Sequence, residues 1–126
     1  MNNKAVMVVR FVFGLLLLAL GAMAFMNFSI PDFYSPKALA FLQALSDTGY
    51  MNQIMGAVQL IAGLMFVTRR YVALGATILA PITFNIIIFH LFLDLKTILP
   101  GLVIFGLNMF IAYSEKDKYK SLLKSR

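Results

Sequence analysis

The sequence predicts an all-α integral membrane protein, a four-transmembrane-helix bundle with a short extracytoplasmic amphipathic helix between its first and second spans. Three observations carry that prediction. Hydrophobic residues make up 61% of the chain, well above the roughly 45–50% of soluble domains. They gather into four runs, each about the length that one bilayer crossing requires. The basic residues divide unevenly between the segments that join the runs. The 126 residues read as one membrane domain, 1–126, without an appended soluble module.

The first span covers residues 11–28, after a polar lead that carries Lys4 and Arg10. Ala22-Met23-Ala24 looks like a signal cleavage site, but the apolar run continues through Phe25, Met26 and Phe28, so the segment reads as a span. Arg10 then marks the membrane boundary, its charged end snorkelling to water. In the long connection, Ser35 is placed to cap a helix with Pro36 in its first position. Ala38, Leu39, Phe41, Leu42 and Leu45 share one face of that helix, Lys37, Gln43 and Ser46 lie away from it, and Thr48-Gly49 stops it. Such a helix lies at the membrane surface or packs across the bundle mouth.

The second span, 51–68, ends at Arg69-Arg70, and the third, 72–93, follows at once, so the two are antiparallel neighbours. Residues 94–97 make another tight turn, with Thr97 available as a cap and Pro100 in the first turn of the last span, 98–113. The basic amphipathic tail, 114–126, suits an anionic membrane face. Gly14 and Gly21 in the first span, like Gly56 and Gly63 in the second, stand seven residues apart on one helix face. That spacing of small residues lets helices approach closely.

Charge placement fixes the topology, because cytoplasmic segments hold the excess of lysine and arginine. With both termini cytoplasmic, 9 of the 11 basic residues lie inside and only Lys37 and Lys96 outside. An odd number of spans would separate the termini and spoil that asymmetry. The same placement accounts for the +6 charge without nucleic acid as a partner. The absence of cysteine excludes disulfides and thiolate metal sites, and a single histidine excludes an ordinary zinc site or a bis-histidine haem within one chain.

Chemistry concentrates in the third span, where Pro81, Asn85 and His90 interrupt an apolar run. Polar groups at such depth are expensive and usually face a bundle interior. Gln59, Asn85 and Asn108 fall in one layer, about 12–15 Å from the outer ends of their spans at about 1.5 Å per residue. Their carboxamides are either interhelical glue or the polar floor of a ligand cavity. Thr77, Pro81 and Asn85 share a face, and Pro81 is expected to kink the helix and free the Thr77 carbonyl for a partner. Nearer the outer end, His90 lies one turn from Asp94 with Gln53 at similar depth. His90 and Asp94 at this spacing form a candidate proton-relay pair, and Gln53, Gln59, Asn85, His90 and Asn108 a candidate ligand pocket.

The run from Leu79 to Leu93, with its Pro81, Asn85 and Phe89-His90, resembles the third-span pattern of bacterial DoxX-like membrane proteins. Arg10 with Gly14 and Gly21, the stretch 41–50 and Gln59-Leu60-Ile61-Ala62-Gly63-Leu64 extend the likeness over nearly the whole chain. Met26-Asn27 departs from it where a basic residue is expected. The resemblance implies a compact four-helix bundle in the bacterial inner membrane. It also implies a partner in quinone-linked or oxidative-stress systems, with distant relatives acting as membrane chaperones. The expected role is therefore a non-catalytic accessory or binding subunit holding a quinone or other lipid-like ligand for a redox or stress-response partner. A proton-coupled transporter or membrane enzyme acting on a small hydrophobic substrate, and a membrane chaperone, are the alternatives. Assembly with further copies of the chain is left open.

Overall fold

In the computed structural model, which describes residues 3–26 and 33–120, the chain forms five α-helices. They are α1 (Asn3–Ala24), α2 (Pro36–Asp47), α3 (Met51–Thr68), α4 (Val72–Phe92) and α5 (Ile98–Ser114), with 3-10 turns at Leu95–Thr97 and Lys116–Tyr119. Asn27 and Phe28 at the end of the expected first span, and the tail beyond residue 120, lie outside the described residues. Four of the helices, α1, α3, α4 and α5 with its preceding turn, are long and apolar enough to cross a membrane. The first begins at Asn3 rather than at residue 11, because nothing in the polar lead breaks a helix.

Local sequence explains the ends of these helices. Ser35 is extended and accepts a hydrogen bond from the Ala38 amide, with Pro36 in the first turn of α2. The helix stops at Thr48, and Gly49 follows with φ at 80°. Between α3 and α4 the chain reverses within three residues, and both Arg69 (φ 60°) and Tyr71 (φ 56°) take the left-handed conformation. The Arg69 and Arg70 amides both donate to the Met65 carbonyl, closing the end of α3. Thr97 makes no capping bond at α5. Its hydroxyl is instead engaged by His90, a tertiary partner that capping patterns do not anticipate.

Packing begins with α1 and α3, which cross antiparallel on their glycines. A Cβ added at Gly14 would stand 3.0 Å from the Gly63 carbonyl oxygen, and one at Gly63 would stand 2.9 Å from that of Gly14. The Gly21 and Gly56 pair repeats this reciprocally, at 2.8 and 2.9 Å. No side chain fits between the two backbones there. Around the nearby Phe13 and Phe66, whose ring centroids are 5.7 Å apart, the core gathers Leu17, Ala62, Val72, Ala76, Leu79 and Ile111. Those of α3, α4 and α5 sit where α3 ends, α4 starts and α5 ends, and those of α1 at mid-helix, so the core lies toward the end that holds both described chain ends. Tyr119 reinforces that end by donating from its hydroxyl to the Ala73 carbonyl at 2.7 Å.

The glycine crossing predicts a contrast between two alanine substitutions. Gly56→Ala would place its Cβ 2.7 Å from that of Ala24 and should cost about 1–3 kcal/mol as overpacking. Gly106, beside which an added Cβ meets nothing within 4 Å, should accept alanine with a gain of roughly 0.5–1 kcal/mol from helix propensity. Reversible denaturant unfolding in detergent compares the two.

Candidate functional site

Where the core thins toward α2, the helices leave a groove of about 990 Å³. Its walls come from the later part of α1, the first half of α3, the second half of α4 and the start of α5, with Phe41, Leu42 and Leu45 of α2 across its mouth. Most of the lining is apolar. The volume is at the upper end of the roughly 300–1,000 Å³ of ligand pockets, suited to a long hydrophobic body.

Three carboxamides reach this groove, those of Asn52, Gln59 and Asn85. None hydrogen-bonds to any described residue. Asn52 and Gln59 are seven residues apart, so they share a face of α3, and Asn85 comes from α4. Pro81, exposed on the wall one turn before Asn85, lies inside an α4 that runs unbroken from Val72 to Phe92. The Thr77 hydroxyl bonds back to the Ala73 carbonyl at 2.8 Å, so it does not serve the carbonyl that Pro81 frees.

The polar layer expected from depth divides in two. Gln59 and Asn85 face the groove, whereas Asn108 is fully buried between α4 and α5 and does not line it. Its Nδ2 donates to the Ala76 carbonyl and the Thr83 hydroxyl, each at 3.4 Å, and its Oδ1 has no partner among the described residues. Of the two polar residues that open α3, Asn52 lines the groove and Gln53, which is exposed, does not. One residue turns a helix by about 100°, and depth alone does not resolve such a rotation. The available signal was the seven-residue spacing of Asn52 from Gln59.

His90 closes the α2 end of the groove and is 7% exposed. Its ring lies against α5 at Gly101, where an added Cβ would come within 3.0 Å of His90 Cδ2. Nδ1 meets the Asp94 carbonyl at 3.2 Å and the Thr97 hydroxyl at 3.1 Å. A carbonyl oxygen only accepts, which assigns the proton to Nδ1 and leaves Nε2 of the neutral ring as an acceptor. The partner of His90 at Asp94 is thus the backbone, and the carboxylate is used elsewhere. Asp94, 5% exposed, accepts from the Ser35 amide at 3.4 Å, and the Ser35 hydroxyl donates to the Leu93 carbonyl. These bonds tie the start of α2 to the end of α4. Ring contacts extend the tie, with Phe41 and Phe89 centroids 5.4 Å apart and Tyr34 edge-on to Phe89 at 6.1 Å.

Burial first, and the neighbouring Asp94 carboxylate second, push the Tyr34 phenol above its usual value of 10.0. Comparison with protein-family models, with curated proteins and with solved structures finds no match for this chain.

A phenol raised on folding contributes stability that is fully present below its unfolded value and is lost as pH rises through its folded value. The alkaline limb of the stability profile should therefore flatten in Tyr34→Phe. A tyrosinate absorbance titration, taken as the difference between wild type and Tyr34→Phe, should show the late-titrating phenol. In Asp94→Asn that phenol should move back only part of the way, because burial is the larger cause.

Proposed function

We propose that this chain is a non-catalytic membrane subunit whose groove holds a lipid-like molecule, a quinone being the occupant whose chemistry fits best, for a redox or stress-response partner. The observation that carries this reading is the pairing of a groove of about 990 Å³ with carboxamides that have no hydrogen-bond partner among the described residues. An apolar body with a polar head satisfies both at once. Ring carbonyl oxygens accept from the Asn52, Gln59 and Asn85 amides, while an isoprenoid or acyl tail covers the apolar walls. The resemblance to DoxX-like proteins supports the same reading, and with it a bacterial inner membrane and cytoplasmic termini. On that topology α2 and His90 lie on the outer side, and the groove opens toward the outer leaflet.

Binding fits the geometry better than proton transfer. A relay through His90 and Asp94 needs the carboxylate on the imidazole, and that carboxylate is turned to the Ser35 amide.

Native mass spectrometry of protein released gently from its own membranes tests the proposal. A stoichiometric small hydrophobic mass should accompany the wild type. It should fall roughly tenfold in Gln59→Leu and Asn85→Leu, as expected for losing a ligand hydrogen bond worth about 1–1.5 kcal/mol. Asn108→Leu, whose side chain does not line the groove, should retain the ligand. A second polypeptide without any small molecule would point instead to a chaperone.

A further inference from the structure

The opposite end of the bundle holds a second, separate cavity of about 330 Å³. Lys4, Met7 and Arg10 of α1, Arg69 after α3, and Ser114 and Glu115 at the end of α5 line it. Three of these side chains are cationic. The carboxylate among them, Glu115, is already held at 2.9 Å by Lys118.

Arg10 gives the cavity its character. Although 9% exposed, it lies inside α1 and does not reach freely into water as boundary snorkelling would require. Its Nε donates to the Phe66 carbonyl at 3.0 Å, near the end of α3. That bond fixes the plane of the guanidinium and leaves both Nη groups without a hydrogen bond to the described residues. Arg10 lines the cavity, which brings its guanidinium within reach of a ligand there. Neither Arg10 nor Arg69 forms an ion pair among the described residues.

A largely buried cation without an ion-pair partner among the described residues is costly, and a planar pair of donors matches two oxygens of one oxyanion. We infer that this cavity binds a phosphoryl group, gripped by the Arg10 Nη pair and flanked by Arg69 and Lys4. The volume equals that of roughly ten waters at about 30 Å³ each, which leaves room for the phosphoryl group and the first atoms attached to it. The group is carried either by an anionic phospholipid, reaching in from the surrounding leaflet, or by a soluble phosphate.

The test uses the full chain reconstituted in vesicles of equal phosphatidylglycerol and phosphatidylcholine, followed by native mass spectrometry of the released protein. In parallel, inorganic phosphate is titrated calorimetrically into protein in detergent. Arg69→Gln is the informative variant, since Arg10→Gln also removes the bond to Phe66. Arg70, exposed and outside the cavity lining, supplies the control Arg70→Gln. Preferential retention of phosphatidylglycerol that falls roughly tenfold in Arg69→Gln but not in Arg70→Gln supports the site with a lipid occupant. Calorimetric phosphate binding with the same dependence, and no lipid preference, supports it with a soluble one. Binding of neither probe, or an equal loss in both variants, overturns the inference.

Discussion

The backbone contact of α1 with α3 is the constraint on which the rest of the bundle depends. At Gly14 against Gly63 and Gly21 against Gly56, carbonyl oxygens occupy the space that a methyl group would need. Helices pressed together in this way gain many small dispersion contacts, the main attraction available when the surrounding medium is as apolar as the side chains. The contact also fixes rotation. Once the glycine faces are turned toward each other, Phe13 and Phe66 are carried into a common core. Val72, Ala76 and Leu79 of α4 and Ile111 of α5 complete it.

That arrangement leaves the bundle unequal along its length. Core residues concentrate at the end where α3 turns tightly into α4, whereas toward α2 the same four helices line open space. The groove is thus a product of packing that is closer at the other end than at its own. A small set of polar contacts holds its shape. His90 fits against the bare backbone of Gly101 and bonds the turn before α5, while Ser35 and the Asp94 carboxylate pin α2 over the mouth. Asn108, bonded to Ala76 and to the groove-lining Thr83, joins α4 to α5 from behind the groove wall. The carboxamides of α3 and α4 that face the groove take no part in these contacts and have no partner among the described residues.

Charge is distributed along the same axis. Lys4, Arg10 and Arg69 surround the small cavity at the well-packed end, and the groove end carries the Asp94 carboxylate within a mainly apolar setting. The two cavities therefore differ in chemistry, and the proposed ligands differ with them, an oxyanion at one end and a long apolar molecule at the other.

The helices, the number of apolar spans and the start of α2 are all legible in the amino-acid sequence. Ser35 with Pro36, the Gly49 stop and the paired glycines act through neighbours a few residues away, so their meaning is legible without a fold. Which side of each apolar helix faces inward is settled by the packing of the helices on one another. In a soluble protein the polar face of a helix reveals its orientation, but a spanning helix is apolar all round, and the pattern that would give its rotation is missing. Hence Asn52 rather than Gln53 reaches the groove, Asn108 is sealed while Asn85 is not, and the Thr97 hydroxyl serves His90 instead of capping α5. The first of those outcomes turns on roughly a hundred degrees of helix rotation, and that angle is set by the close approach of one helix to another.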